Sequence, residues 1–84
     1  MGKGIPEQQK GARVSNILEY KSYYAEILFD AENEILYGKV SGISELVSFE
    51  GISIPGIKRE FWLAVDDYLK TCKELNKEPE IPAP

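Results

Sequence analysis

Histidine is absent from this 84-residue sequence. Its absence removes the commonest general acid/base and the commonest metal ligand of proteins. The motifs GxxxxGK[ST], GxGxxG and CxxC, which would indicate a phosphate-binding loop, a dinucleotide site or dithiol chemistry, are missing as well. A conventional enzyme would therefore have to be built from carboxylates alone. We predict no catalytic residue, no metal site and no cofactor.

Cysteine and long apolar runs are also scarce. The single Cys72 cannot form an internal disulfide, so nothing in the cysteine content indicates an oxidising compartment. No apolar run approaches the length of about 18 residues that a membrane span requires. The start of the sequence lacks the apolar core of a secretory signal. We expect a cytoplasmic protein that does not contact a membrane.

Basic residues are outnumbered, with 10 Lys and Arg against 14 Asp and Glu and a net charge of −4. They are scattered rather than gathered in a stripe, which argues against nucleic acid as a direct partner. The hydrophobic content of 43% and the charged content of 29% are ordinary for a globular domain. So short a chain has a thin stability margin, and association with a partner or a second copy would help it.

The chain divides into three parts by composition. Residues 1–14 are rich in Gly, Lys and Gln without periodicity, and we interpret them as a flexible N-terminal tail. Residues 15–80 carry the periodic apolar pattern of one folded domain, and residues 81–84 form a proline-rich C-terminal end. Within the domain, segments with the residue types of β-strands come first. These segments are Ile17–Tyr20, Tyr23–Asp30, Ile35–Ile43 and Leu46–Gly51.

The turn at residues 31–34 fixes a register for the two longest strands. It places Glu26 opposite Lys39, and opposite charges that face each other across strands are favourable. Gly38 would then let a helix approach the sheet closely. One face of the pair is predicted to be buried, namely Ala25, Ile27, Phe29, Leu36, Gly38 and Val40. The opposite face carries Tyr24, Glu26, Leu28, Tyr37, Lys39 and Ser41.

One long helix follows the strands. Ser53 is a good N-cap, Pro55 is tolerated in the first turn, and Asn76 suits the left-handed position at the end. The helix has an apolar stripe that would pack on the sheet. The predicted fold is therefore α+β, an antiparallel sheet of three to four strands covered on one face by one long helix (β-β-β-α). Its predicted core consists of Ile27, Phe29, Leu36, Val40, Phe49, Phe61, Val65, Tyr68 and Leu69.

Two adjacent acids, Asp66 and Asp67, interrupt this stripe. Adjacent helical residues point about 100° apart, so they do not converge on one metal ion. We interpret the pair as a solvated helix face with weak ion pairs to Lys70. The alternative is that one of them meets other carboxylates, such as Asp30 or Glu50, around a divalent cation.

Three surfaces are candidates for binding a partner. Aromatic and apolar residues on the outer sheet face, a tryptophan on the helix flank and an acidic turn each have the residue types of an interface. They are Tyr24, Leu28 and Tyr37; Trp62; and Asp30, Glu32 and Glu34. Scattered surface apolar residues are also normal, and the tryptophan could simply fold over the sheet edge. We hypothesise that one surface mediates self-association and another contacts a basic partner.

An ordered series of motifs between residues 20 and 79 resembles the HicB-like antitoxin family. "YKSYYAEILFD" and "ILYGKVSGI", with Gly38, Val40, Gly42 and Ile43, are similar to its first strands. "FEG", "AVDDYL" and "KEP" complete the series. The resemblance implies a partial ribonuclease-H-like fold that has lost its nuclease function. It also implies a partner, a small HicA-like toxin that cleaves mRNA and has a double-stranded-RNA-binding-like fold.

The sequence departs from that family in two places. "IPGI" (Ile54–Ile57) replaces the usual acidic first turn of the helix, and the sequence stops at Pro84, where the family continues into a DNA-binding segment. We therefore predict no direct DNA binding by this chain. The function we expect is neutralisation of a HicA-like toxin by a non-catalytic domain that occludes its surface, with self-association as a dimer or larger oligomer. The alternatives are a small metal-dependent nuclease that uses carboxylates and a self-associating structural subunit.

Overall fold

A computed structural model describes residues 15–82 of the chain. The predicted N-terminal tail and the last two residues of the proline-rich end lie outside the described residues. The elements are β1 (Ile17–Tyr20), β2 (Tyr23–Asp30), β3 (Ile35–Val40), β4 (Ser48–Gly51) and α1 (Ile54–Glu74). The strands form one antiparallel sheet in the order β1-β2-β3-β4. The predicted α+β fold is confirmed, with four strands; its relation to a ribonuclease-H-like fold stays a prediction.

The predicted register of β2 and β3 is confirmed from the pair Ala25 and Val40 to the pair Phe29 and Leu36. Strands β3 and β4 are both shorter than predicted at the ends that border the loop between them. Gly42 adopts a φ of +79°, a left-handed conformation that takes the chain out of the ladder after Val40. One backbone hydrogen bond remains there, from the N–H of Val40 to the carbonyl of Val47 (2.9 Å).

The helix ends are formed as predicted. The Ser53 side chain accepts a hydrogen bond from the Gly56 N–H (3.0 Å), and Pro55 lies in the first turn, where no intrahelical N–H bond is needed. Asn76 takes the left-handed conformation (φ 56°) after the last turn. The N–H of Lys77 then donates to the carbonyl of Cys72 (2.8 Å), which closes the helix end. This helix, the one helix in the described part of the chain, is not apolar enough over its length to cross a membrane.

The core lies between the helix and the inner face of the sheet. Phe61, fully buried at the middle of the helix, packs on Phe49 with 5.3 Å between ring centroids. Ile27, Leu36 and Leu69 are only partly buried, at the margin of this core. The buried hydrophobic residues of this core are Tyr23, Ala25, Val40, Phe49, Ile57, Phe61, Val65, Tyr68 and Cys72.

The predicted burial of Phe29 is wrong, because its side chain is 68% exposed. The helix begins over β4, where Gly51 lies against the backbone of Ile57. Phe29 lies on β2, two strands away from β4 at this end of the sheet. The helix reaches the β1 side only near its middle, at Asp66. Within residues 15–82, this corner of the inner face is therefore left uncovered.

The close approach of helix and sheet also occurs at a different glycine from the one predicted. A Cβ atom on Gly51 would lie 2.9 Å from the Ile57 nitrogen. A Cβ on Gly38 would instead meet the Glu26 carbonyl at 2.7 Å and the Phe49 ring at 3.2 Å. Gly38 therefore makes room for a core ring, and Gly51 makes room for the helix backbone.

The chain after the helix folds back as a strap over residues 77–82. The N–H of Glu80 donates to the Tyr68 hydroxyl (3.0 Å), and the Tyr23 hydroxyl donates to the Glu80 carbonyl (2.6 Å). The Glu80 carboxylate accepts hydrogen bonds from the N–H and the hydroxyl of Ser44. Pro82 is buried against Gly42. The strap thus joins the β3–β4 loop and the start of β2 to the end of the helix.

Candidate protein-binding surfaces

Asp66 is tied to the turn between β1 and β2. Its carboxylate pairs with Lys21 (2.9 Å) and accepts a hydrogen bond from the Tyr20 hydroxyl (3.1 Å to each oxygen). Lys21 and Ser22 both have positive φ, the conformation of a tight two-residue hairpin turn that places the lysine beside the helix. Lys21 holds the pKa of Asp66 below its usual range. The predicted pairing of Asp66 with Lys70 is therefore wrong.

Asp67 points elsewhere and is exposed. It faces the β3–β4 loop, on the other side of the helix from Lys21. Within residues 15–82, no group of three or more His, Cys, Asp or Glu side chains is placed to hold a metal ion. The two adjacent acids thus have separate surroundings, as their angular spacing on a helix requires.

The acidic turn between β2 and β3 is partly occupied by its own contacts. The Asp30 carboxylate accepts hydrogen bonds from the backbone N–H (3.2 Å) and the side-chain amide (2.9 Å) of Asn33. These bonds lower the pKa of Asp30 and hold the turn in shape. Glu32 and Glu34 are exposed. Of the three predicted acidic residues, two are free of that structural role and face solvent.

The outer face of the sheet brings Leu28 and Tyr37 together. They are direct cross-strand partners, and their side chains are 43% and 40% exposed. Together with Glu26, Lys39 and neighbouring residues, they line a shallow concavity of about 290 Å³. The helix lies on the opposite side of the sheet and leaves this face uncovered. The third predicted residue of this face, Tyr24, is half-buried and lies outside the concavity.

Trp62 folds over the sheet edge and remains partly exposed, and its role as a contact anchor stays a prediction. Its ring lies 6.1 Å from the ring of Tyr20, centroid to centroid, so it does fold over the β1 edge of the sheet. Its side chain is nevertheless 43% exposed. It also lines a second concavity of about 270 Å³ with Ile54, Pro55, Lys58 and Arg59. Trp62 and the outer sheet face thus form separate surfaces on opposite sides of the molecule.

A further surface was not predicted from the sequence. It lies between the helix and the chain that leads into β4, and we call it the β4 flank. The concavity here measures about 380 Å³. Its lining includes Leu46, Val47, Ala64, Asp67, Thr71 and Leu75. A signal for it exists in the sequence, since Glu60, Asp67 and Glu74 recur every seven residues and must share one side of the helix.

No family model, curated protein or solved structure that we compared with the chain matches it. The fold and these surfaces define a small α+β domain with apolar patches on both sides.

Proposed function

We propose that this chain is a HicB-like, non-catalytic protein-binding domain that neutralises a HicA-like toxin. The toxin would be a small, basic ribonuclease, and the domain would cover the surface with which it binds mRNA. The observation that carries the proposal is that Leu28 and Tyr37 are exposed side by side on the outer face of the sheet, a surface that a partner protein or a second copy could bind. The toxin's identity comes from the motif resemblance.

The composition of this face supports a protein partner. Aromatic and apolar side chains at the centre of a patch with charged residues at its border are typical of interfaces. Here Leu28 and Tyr37 form the centre, and Glu26 and Lys39 border them. Within residues 15–82, the helix covers only one face of the four-stranded sheet and leaves the other face accessible.

Several residues of the motifs that resemble the HicB-like family also have structural roles in this fold. Gly38 lies under the Phe49 ring, and Gly42 lies against Pro82. In "AVDDYL", Val65 and Tyr68 are core residues. These motifs therefore support the choice of fold class more directly than they support the choice of partner.

Electrostatics supports a basic partner. The net charge of −4 would attract a cationic RNA-binding surface and speed the encounter. Once bound, the domain would exclude RNA by occupying the same surface. We further propose that the protein acts in the cytoplasm, where such a toxin meets mRNA, and that it self-associates as a dimer or larger oligomer.

A neutralisation assay tests the proposal. A purified HicA-like ribonuclease would be mixed with increasing amounts of the chain, and RNA cleavage would be followed. We expect inhibition that saturates at a fixed molar ratio, together with a complex in size-exclusion chromatography. A second acidic protein of similar size and charge is the control for non-specific binding. Full cleavage at every ratio, with no complex, would contradict the proposal.

The nuclease alternative has its own test. The pure chain would be incubated with RNA and DNA in Mg²⁺ or Mn²⁺, alongside Asp66→Asn and Asp67→Asn variants. We expect no cleavage that depends on either residue, because the two carboxylates lie on different sides of the helix. Cleavage by the pure chain that either variant abolishes would replace the antitoxin proposal with the nuclease.

A further inference from the structure

The first feature of the β4 flank is an open strand edge. Within the described residues, β4 pairs with β3 on one side and has no strand on the other. Bonded and non-bonded pairs alternate along an antiparallel ladder. Because Val40 and Val47 form a bonded pair, the same register bonds Phe49 to β3. The backbone groups of Ser48 and Glu50 then point away from β3, where another strand could bond to them.

The second feature is an apolar groove beside that edge. Leu46 and Leu75 are both largely exposed, and they border a floor that contains Val47 and Ala64. Exposed leucines next to an open strand edge are unfavourable in water and invite pairing with another chain. Ser48, the first residue of β4, also lines the groove, so one extended segment could reach both the groove and the edge.

The two sides of the helix differ in the side-chain contacts that connect them to the rest of the domain. On the β1 side, Tyr20 and Lys21 bind Asp66, and the Tyr20 ring packs near Trp62. On the β4 side, the polar contact across the groove among residues 15–82 is a single exposed ion pair, Lys77 with Glu45 (3.3 Å). Fewer side-chain contacts thus close the groove on the β4 side than close the β1 side.

The charge of the residues near the groove favours one kind of binding partner over another. Asp67 lines the groove, and Glu60 and Glu74, seven residues before and after it, extend an acidic line along the same side of the helix. Among the described residues that line the groove, one is basic, Lys77, and it already pairs with Glu45. A second copy related by a two-fold axis through the β4 edge would bring this acidic line near its own copy. Like charges repel, so a basic partner fits better than a second copy.

We propose that the β4 flank binds an extended, basic segment of a partner protein, which adds to the sheet as a strand beside β4. The backbone of that segment would bond to Ser48 and Glu50, as in other cases of strand addition. The side chains of the segment that face the helix would include apolar ones, which enter the groove, and Lys or Arg side chains, which meet Glu60 and Asp67. The inference rests on the proposed function only in taking the partner to be the toxin.

Peptide probes test the surface without the toxin. The isotope-labelled full chain would be titrated with the capped hexapeptide Lys-Thr-Val-Thr-Lys-Thr, which places Lys and Val on one face, and separately with its counterpart that has Glu in place of Lys, while amide resonances are followed. We expect the basic peptide to shift Ser48, Glu50 and Thr71 and to slow hydrogen exchange in β4. The acidic peptide should leave them unchanged. Shifts confined to the outer sheet face, equal effects of both peptides, or no effect at millimolar peptide would each overturn the proposal.

Charge-reversal variants give a matched comparison. The double variant Glu60→Lys and Asp67→Lys should bind the basic peptide about tenfold more weakly. The control Glu19→Lys and Glu78→Lys changes the net charge equally at exposed sites outside the groove lining. It should bind within about twofold of the parent chain. Equal weakening in both double variants would mean that only the overall charge matters, and the groove assignment would fail.

The toxin assay separates this inference from the proposed function. If the parent chain and the Glu60→Lys, Asp67→Lys variant inhibit the toxin equally, the antitoxin proposal stands and the β4 flank is not its toxin site. If the chain does not inhibit the toxin but the basic peptide still binds β4, the antitoxin proposal fails and the surface assignment stands. Loss of inhibition in this variant alone, with the control variant active, is the result we expect.

Discussion

Two phenylalanines of the same chain differ in burial, and one substitution made at both sites measures the difference. Phe61 is fully buried against Phe49, whereas Phe29 is 68% exposed. Phe61→Ala should lower the free energy of unfolding by about 3–5 kcal/mol. A small domain has about 5–15 kcal/mol in all, so this variant should be close to unfolding. Phe29→Ala should change it by no more than about 0.5 kcal/mol. Urea titration measures both, and equal losses would contradict the core described above.

Asp66 and Asp67 allow a similar comparison of charge. Asp66→Asn removes the ion pair with Lys21, while Asp67→Asn removes a carboxylate that faces the groove. We expect a small drop in melting temperature for Asp66→Asn only. The drop should shrink in high salt, because the pair is exposed and therefore screened. A drop that is independent of salt, or one of equal size in Asp67→Asn, would show that the ion pair is not its cause.

At the scale of elements, the helix depends on Gly51 for its distance from the sheet. A Cβ at this position would meet three backbone atoms at 2.9–3.2 Å, two from Ile57 and one from Gly56. Backbone cannot move aside as a side chain can, so Gly51→Ala should destabilise the fold by about 1–3 kcal/mol. Ser48→Ala, at an exposed position of the same strand, is the control. Thermal unfolding of the two variants would decide, and a neutral Gly51→Ala would mean that the helix start can shift freely.

The strap after the helix should respond to acid. Hydrogen bonds from the Ser44 hydroxyl and N–H lower the pKa of Glu80 below its ordinary value of 4.5. A lowered folded-state pKa means that this carboxylate stabilises the fold above pH 4.5, and that the contribution is lost as the pH falls through the lowered pKa. Glu80→Gln should therefore lower stability at pH 7 and differ less from the parent at low pH.

Glu78→Gln is the control for this strap prediction, because Glu78 is exposed and lies two residues earlier in the chain. Thermal melts at several pH values would compare the three proteins. A pH-independent difference between Glu80→Gln and the parent would exclude the carboxylate as the cause. An equal effect of Glu78→Gln would point to net charge instead.

Features of the elements that depend on local contacts could be predicted from the sequence, whereas those that depend on tertiary packing could not. The β2–β3 register was predictable because a turn of fixed length and the pair Glu26 and Lys39 both act locally. The exposure of Phe29 was not, since it depends on the direction in which the helix crosses the sheet. The strap was not predicted either, because its contacts join residues as far apart in sequence as Tyr23 and Glu80.

At the scale of the whole molecule, the sequence predicted the outer sheet face but not the β4 flank. Alternation along two paired strands placed Leu28 beside Tyr37 on the face away from the helix, and this is how they lie. The flank combines the β3–β4 loop with one side of the helix. That combination depends on tertiary packing, so only the recurring acids at 60, 67 and 74 hint at it in the sequence.

We propose a different role for each surface. The outer face of the sheet would mediate self-association, and the β4 flank would bind the basic partner. Leu28→Lys tests the first role. Leu28 lies outside the core, so the variant should fold, but a charge at the centre of the patch should weaken an interface there. Phe29→Lys is the matched control, because the next residue of the strand points to the opposite face of the sheet.

Light scattering over a range of concentrations should show a lower mass for Leu28→Lys than for the parent chain or Phe29→Lys. The same mass for all three proteins, together with unchanged toxin inhibition by Leu28→Lys, would leave the outer face as ordinary solvent-exposed surface.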